Sequence, residues 1–292
     1  MSRAVPKVLL QALLDDFSTI RRPGPQIATR RRGAALTVAE PASETVGRRV
    51  LQAESWDDAG RPEITQPENV PVLIHGPAAR ALGGYRSAAA AQAVAGAGIG
   101  IDIAQERDRH CVESAHRTLA HLADVPRSVS VTVGLGLEPG WRQALSMINA
   151  RGRSVRFAVC GVDAPDTPVL VEAIRAATAE RCPFSWSCGD WKAVTDPWDD
   201  QLPGILNVLL ATAAAVRGTG GAQIGAQLAR TDRVELIDDV RDLDEQIAGQ
   251  VRSLVHGFAV PRVAPVVDAL CGLGLLPKTR PEPWEGPEPT HG

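Results

Sequence analysis

The feature that most constrains the fold is a regular succession of short apolar runs. The runs begin at Pro71, Gly98, Ser128, Ser154 and Pro183, so roughly 26–30 residues separate each from the next. Each run has the length and the β-branched content of a strand, and the stretches between them have the periodicity of amphipathic helices. This alternation predicts a parallel sheet with crossover helices, in which any chemistry lies at the C-terminal ends of the strands.

Three weaker strand candidates decide the size of the sheet. They are Asp16–Ile20, Ala34–Ala39 and His256–Val260, and they raise the number of predicted strands to eight. Glu44–Ala53 is predicted to be a helix. Eight parallel strands with surrounding helices form a (β/α)8 barrel.

The predicted architecture is an α/β, TIM-barrel-like single domain over residues 1–277, followed by a proline-rich, disordered tail over residues 278–292. An open, doubly wound parallel sheet is the alternative. The glycine-rich runs do not favour a dinucleotide site in such a sheet. Residues 96–100 precede a strand, and the GLGLEPG run at 134–140 is one residue longer than the dinucleotide-binding motif.

The composition predicts a cytoplasmic protein. Hydrophobic residues make up 44%, enough for a sizeable core, and the formal net charge of -3 predicts neither nucleic acid nor an anionic membrane surface as a partner. No apolar run is long enough for a membrane span, and the N-terminal region lacks the apolar core of a signal peptide. The five cysteines have neither disulfide-like nor metal-like spacing, so free thiols and no metal site are predicted. No cofactor is predicted either.

The predicted catalytic residues stand at or near the ends of the apolar runs. His75 ends the run PVLIHG, where an imidazole could act as a general base or a metal ligand, although a histidine that caps a helix is the commoner case. Asp102 lies in GIGIDIA, and strand alternation places it opposite the two flanking isoleucines. A buried carboxylate is costly unless it is paired. A structural ion pair with Arg156 is therefore the alternative to a catalytic role.

The last of the five runs, PFSWSCG, has the most polar end. Ser187 and Asp190 complete the predicted catalytic set, with Ser187 able to bind a substrate oxygen. The predicted substrate-binding residues are Ser185, Trp186, Trp191, Cys160, Asn207 and His256. The tryptophans are predicted to shape an apolar pocket, and packing beneath a barrel rim is the alternative.

Four segments resemble a family of uncharacterised actinobacterial proteins of about 300 residues. One family segment, DDAAxFPPGN, is similar to LLDDFSTIRRPGP in this chain. A second family stretch, in which a KxRxGG strand is followed by a helix and then FKATAGLHH, is similar to AVCGVDAPDTPVLVEAIRAATAERCPFSWSCGDWK. GILNVLLATAAAV is similar to a helix that opens FLNLL, and VHGFAVPRVAPVVDALCGLGLLP to a segment with FGSC, EPV and a terminal LGLL. The resemblance implies a barrel-like α/β fold in one domain.

The chain departs from both family motifs at basic positions. The lysine and arginine of KxR fall on Phe157 and Val159, the lysine of FKATAG falls on Ser185, and the two histidines fall on Trp191 and Lys192. Lysine and histidine at strand ends are the groups that a barrel uses for Schiff-base and acid–base chemistry. Their replacement implies either a changed reaction or none.

Two functions of different classes follow from these patterns. The first is a small-molecule enzyme of secondary metabolism, a lyase, isomerase or cyclase, with its site at the C-terminal strand ends. The second is a catalytically silent barrel that binds a protein partner or forms a homo-oligomer. The polar strand ends favour the enzyme, and the missing basic residues favour the silent barrel.

Overall fold

The computed structural model describes residues 4–17, 45–52, 72–90, 99–104, 110–159, 166–187, 191–196 and 202–277. Its strands are β1 (Leu14–Asp16), β2 (Val46–Gln52), β3 (Val72–Gly76), β4 (Ile99–Ile103), β5 (Val131–Leu135), β6 (Ser154–Ala158), β7 (Phe184–Ser187) and β8 (Val255–Val260). Each strand pairs in parallel with the next, and β8 pairs with β1. The sheet is therefore a closed eight-stranded barrel, which confirms the predicted (β/α)8 fold.

Ten helices accompany the strands in the described ranges. They are α1 (Lys7–Leu10), α2 (Ala78–Ala90), α3 (Cys111–His121), α4 (Trp141–Ala150), α5 (Thr167–Ala179), α6 (Ile205–Val216), α7 (Gly221–Ala229), α8 (Arg233–Arg241), α9 (Glu245–Leu254) and α10 (Val263–Gly272). Four of them, α6 to α9, lie between β7 and β8, where the regular spacing of the apolar runs ends. Among the described helices, none has the length and apolar character needed to cross a membrane.

The first two strands of the barrel differ from the prediction. β1 covers Leu14–Asp16, which pair with β2 and β8, whereas the predicted strand began at Asp16 and its residues 18–20 lie outside the described residues. Residues 46–52 form β2, whereas Glu44–Ala53 was predicted to be a helix. Val46 and Val50 are four residues apart and fit either structure, so local periodicity is ambiguous here. Pairing with β1 on one side and β3 on the other satisfies the backbone of β2 as a strand. The predicted strand at Ala34–Ala39 and the predicted tail at 278–292 lie outside the described residues.

Strand alternation gives the barrel an apolar outer face. Ile74, Ile101, Phe157, Trp186 and Phe258 are almost fully buried, between the sheet and the helix layer. The Phe157 ring lies 5.1 Å from the Trp186 ring and 5.7 Å from the Phe184 ring, centroid to centroid. The main apolar packing of this barrel is therefore outside the strands.

The inner face of the barrel is largely polar, because most of the alternate residues of the same strands are charged or small. In the strand register Asp15 lies beside Arg48, His75 beside Asp102, and Arg156 between Gly134 and Ser185.

Two apolar residues share this inner face. Val50 and Leu73 are buried register neighbours on β2 and β3. The lumen of a TIM barrel is ordinarily filled by layers of branched apolar side chains, and charged side chains take much of their place here.

Gly47 permits the close approach of β2 to the chain before β1. A Cβ atom at this position would lie 2.4 Å from the carbonyl oxygen of Ala12. Gly83 in α2 offers a contrast, because a Cβ atom there would meet nothing within 4 Å.

These two glycines make a matched pair for a stability test. We expect Gly47→Ala to lower the free energy of unfolding by about 1–3 kcal/mol, because the backbone must shift to relieve the contact. We expect Gly83→Ala to raise it by about 0.5–1 kcal/mol, because alanine has the higher helix propensity. Urea unfolding of both variants measures the difference, and equal effects would contradict the close packing of β2 against Ala12.

Candidate functional site

Five side chains form one continuous hydrogen-bonded series through the lumen. At one end, Arg48 donates from Nε and Nη2 to the two carboxylate oxygens of Asp15, at 2.8 and 2.7 Å. Arg156 donates from Nη1 and Nη2 to Asp15 Oδ2, each at 3.2 Å. Asp15 is therefore held by two guanidinium groups, one of them in the bidentate geometry that gives the strongest carboxylate pairs.

The series continues from Arg156 to a histidine. Arg156 Nε donates to Asp102 Oδ1 at 3.0 Å, which is the ion pair that stood as the alternative to a catalytic role for Asp102. The other oxygen of Asp102 lies 2.6 Å from His75 Nδ1. Arg156 on β6 thus joins Asp15 on β1 to Asp102 on β4, and such a connection can run only across the lumen. We call these five residues, Arg48, Asp15, Arg156, Asp102 and His75, the lumen network.

The position of each member follows from its strand. Asp15 and Arg48 are register neighbours on β1 and β2, and His75 and Asp102 are register neighbours on β3 and β4. The long side chain of Arg156 has space to cross the lumen because its register neighbours, Gly134 and Ser185, are small.

The network is sealed in its middle and reaches solvent at its ends. The side chains of Asp15 and Asp102 are 0% exposed and that of Arg156 is 4% exposed, whereas Arg48 is 14% exposed and His75 is 20% exposed. Two arginines and two aspartates balance in charge. Isolated ions at this depth would be very costly, so the network is tolerable only as a complete set.

The charges keep Asp102 ionised. Burial alone would raise the pKa of its carboxyl group, but the Arg156 charge and the hydrogen bonds from His75 and Arg156 hold that pKa well below its ordinary range. At Arg48, burial lowers the pKa, but the Asp15 carboxylate more than offsets this and the net shift is upward.

Asp102 also decides which nitrogen of His75 carries the proton. A carboxylate at Nδ1 accepts a hydrogen bond, so neutral His75 has its proton on Nδ1 and a lone pair on Nε2. Nε2 has no hydrogen-bond partner within the part of the chain that the structure describes. His75 stands one residue before the C-terminal end of β3, at the barrel face where TIM-barrel active sites lie.

Phe17 covers the network on this face. Its ring meets the His75 ring edge-on, with the centroids 5.5 Å apart, and the Arg156 guanidinium carbon lies 4.8 Å from the Phe17 centroid. The aromatic face stabilises the cation and shields it from water. His75 and Phe17 together form the rim of the candidate site.

The predicted serines face the lumen but bond to the neighbouring strand. Ser185 is fully buried, and its hydroxyl donates to the Val155 carbonyl at 3.5 Å. The Ser187 hydroxyl donates to the Phe157 carbonyl at 3.4 Å. Neither serine has a hydrogen bond to His75 among the described contacts. Asp190 and Cys160 lie outside the described residues.

Three predicted substrate-binding residues lie away from the lumen. Trp186 is on the outer face of β7, and Trp191 packs edge-on against Phe258 on the outer face of β8, with the ring centroids 4.8 Å apart. Asn207 on α6 accepts a hydrogen bond from the Thr195 amide at 3.0 Å and donates to the carbonyls of Gln227 and Arg230. These contacts join loops and helices outside the barrel wall.

His256, the remaining predicted residue, lies in β8 near the Arg48 end of the network. Burial, together with the positive charges of Arg48 and Arg252, lowers its pKa to about 4. The side chain is therefore neutral at neutral pH.

Asp15, Arg48 and Phe17 belong to the site but were not predicted as site residues from the sequence. The pair Asp15–Asp16 after an apolar segment was the available signal for a buried acid on β1. Arg48 carried no signal of its own, because its segment was predicted to be a helix. No group of three or more histidine, cysteine, aspartate or glutamate side chains in the described ranges could hold a metal ion.

Comparison with known proteins adds no functional assignment. No protein-family model matches the chain, and a search of curated proteins finds no significant match. The resemblance to the actinobacterial family therefore stays a prediction, and the site rests on its own geometry.

Among the five residues of the lumen network, Arg156 is the one whose substitution should lower the free energy of unfolding most. We expect Arg156→Met to lower the free energy of unfolding by about 3–5 kcal/mol, because it leaves two buried carboxylates without their shared cation. Arg117→Met is the matched control, since Arg117 pairs with Glu113 on an exposed helix face and its loss should cost at most about 1 kcal/mol. Urea unfolding at pH 7 measures both, and a small effect at Arg156 would contradict the dependence of the lumen on this side chain.

His256 should make the fold sensitive to mild acid. The unfolded chain binds a proton at this residue below a pH of about 6.5, whereas the folded chain does so only near pH 4, so stability falls as the pH is lowered through this window. Between pH 7 and pH 5 we expect wild type to lose about 2 kcal/mol more than His256→Gln. Urea unfolding at the two pH values measures the difference, and parallel losses would show that His256 is not buried in its neutral form.

Proposed function

We propose that the protein is an enzyme in which the His75 imidazole acts as a general base at the C-terminal mouth of the barrel. The observation that carries this proposal is the 2.6 Å contact between His75 Nδ1 and Asp102 Oδ2, with Nε2 left without a partner among the described residues. A base must have its lone pair accessible, and a 20% exposed imidazole at the strand ends meets that condition.

Asp102 is a positioning residue in this mechanism. Its carboxylate fixes the Nδ1–H tautomer and the ring orientation, and it stabilises the imidazolium that forms when Nε2 takes a proton from the substrate. Arg156 in turn holds Asp102 by its other oxygen, so the carboxylate cannot rotate away without breaking a buried ion pair.

The reaction class that fits a lone histidine base is proton transfer at carbon or oxygen. His75 would abstract a proton from a carbon acid or a hydroxyl group, and the resulting imidazolium would return that proton to another atom of the substrate or its product. Lyases, isomerases and cyclases of small molecules use such steps, which need no redox partner. These classes therefore remain the proposed activities.

A catalytically silent barrel is the second candidate, and it too has a specific observation in its favour. The charges of Arg48, Asp15, Arg156 and Asp102 satisfy one another without any ligand, and Phe17 covers part of the network. Under this hypothesis His75 is the last member of a structural series, and the outer surface of the barrel binds a protein partner or a second copy.

Hydrogen–deuterium exchange at carbon tests the enzyme hypothesis without a known substrate. The protein would be incubated in deuterium oxide with panels of 2-oxo acids, hydroxy acids, sugars and sugar phosphates, and deuterium incorporation would be followed by mass spectrometry. We expect at least one compound to exchange, and His75→Gln to slow that exchange by about 10²–10⁴-fold, the usual contribution of a general base. His116→Gln, on an exposed face of α3, should exchange as wild type does.

The silent-barrel hypothesis makes a different prediction for the exchange experiment. If His75 is only structural, no compound should exchange with wild type, whereas a catalytic His75 requires exchange that His75→Gln slows. Under either hypothesis the glutamine can still donate to Asp102, so the free energy of unfolding should change by less than about 1 kcal/mol, and slowed exchange cannot be ascribed to unfolding. Exchange that persists undiminished in His75→Gln would rule out this residue as the base.

A further inference from the structure

A concave site lies outside the barrel wall, at the C-terminal ends of β7 and β8. Its cavity volume is about 580 Å³, within the range of small-molecule sites. Four parts of the chain enclose it: the segment 191–196 after β7, the end of β8 with the two residues that follow it, the start of α8, and one face of α10. We call this cavity the peripheral groove.

The peripheral groove is separate from the lumen network. Trp191, which lines the groove, packs on Phe258, and Phe258 points outward from β8. The side chains of Asp15 and Arg156 are directed to the other face of the sheet. No member of the lumen network lines the groove.

The groove combines an apolar floor with a cationic rim. Val194, Val266, Ala269 and Leu273 contribute apolar surface, Val266 and Ala269 from one face of α10 and Leu273 from the residue that follows it. The charged lining residues are Lys192, Arg233, Arg262 and Asp196, and Lys192 pairs with Asp196 at 2.9 Å. Among the described lining residues, three cations and one anion give a local formal charge of +2 on a chain whose net charge is -3.

Arg233 contributes a charge that no described residue neutralises. It forms no hydrogen bond or ion pair within the described ranges, although α8 carries several carboxylates. Glu235 and Asp239 are engaged by Arg230, and Asp238 is engaged by Arg241. Asp232 accepts from the amides of Val234 and Glu235 as the N-cap.

The wall of the groove is fixed before any ligand arrives. The Thr195 amide donates to Asn207, and the Thr195 hydroxyl donates to the Leu228 carbonyl at 3.1 Å and accepts from the Gly204 amide at 2.9 Å. A Cβ atom at Gly204 would lie 2.3 Å from the carbonyl carbon of Val194, so the segment packs directly on the start of α6. A preformed wall spares the binding free energy that ordering a loop would cost.

We propose that the peripheral groove binds a small organic anion, a carboxylate or a phosphate monoester that carries an apolar chain or ring. The rim cations, Arg233 above all, bind the anionic head by charge-assisted hydrogen bonds. The apolar face of α10 and Val194 hold the apolar body. This proposal for the peripheral groove does not depend on whether His75 is a catalytic base.

Fluorescence of 8-anilinonaphthalene-1-sulfonate tests the proposal directly, because this probe has both an anionic head and an aromatic body. Titration into the full-length protein gives its Kd. We expect Arg233→Gln to weaken binding about tenfold through loss of a charge-assisted contact. Ala269→Glu, which places a carboxylate on the exposed floor, should weaken it at least as much.

Matched controls separate the groove from other surfaces. Ala264→Glu makes the same change on α10 at an exposed position that does not line the groove, and Arg151→Gln removes an exposed arginine before the N-terminal end of β6. Both should bind the probe as wild type does. If the two groove variants also bind as wild type does, the probe binds elsewhere and the proposal fails. Arg233→Gln alone decides the matter if Ala269→Glu does not fold.

Competition identifies the ligand chemistry. Octanoate and octyl phosphate should displace the probe, and whichever does so at the lower concentration names the preferred head group. Octan-1-ol, which lacks the charge, and inorganic phosphate, which lacks the apolar body, should not displace it at the same concentrations. Equal displacement by octan-1-ol would overturn the cationic rim as a determinant, and equal displacement by inorganic phosphate would overturn the apolar floor.

Discussion

The lumen depends on one guanidinium group that lies between two buried carboxylates. Arg156 reaches Asp102 with Nε and Asp15 with its two terminal nitrogens, so a single side chain joins three strands across the barrel. Each ion would be intolerable alone at this depth, and each is stabilised by the next. The barrel therefore has a set of charges, all of which must be present, in place of much of the usual apolar filling of the lumen, and small neighbours such as Gly134 give that set its space.

The same constraint gives the candidate base its geometry. Asp102 is ionised and immobile because Arg156 holds it, and His75 is oriented because Asp102 is immobile. The enzyme and the silent barrel thus share one structure. They differ only in whether a substrate meets Nε2 of His75, so proton exchange at a substrate distinguishes them and the stability of a variant does not.

The sequence predicted the parts of this site that depend on strand alternation alone. His75 and Asp102 stand at or near the ends of neighbouring runs, and the cost of an unpaired buried carboxylate made an ion pair with Arg156 the alternative to a catalytic role for Asp102. Alternation defines two faces of a strand but not which of them is the interior. Trp186 was therefore predicted to line a substrate pocket, whereas it packs on the outer face. Arg48 was missed because Val46 and Val50 fit a helix as well as a strand, and only pairing with β1 and β3 decides between them.

The lumen network and the peripheral groove meet at the pairing of β1 with β8. The Phe17 amide donates to the Val260 carbonyl at 2.9 Å; Val260 lines the groove, and the Phe17 ring covers His75 and Arg156. A single backbone hydrogen bond therefore links Phe17, which covers the lumen network, to Val260, which lines the peripheral groove. A substitution of Phe17 or Val260 would disturb both the lumen network and the peripheral groove. Its effect could therefore not be assigned to one of the two sites. Neither Arg233 on the groove nor His75 on the lumen network takes part in the hydrogen bond between Phe17 and Val260, so substitutions at these two residues can assign each effect to a single site.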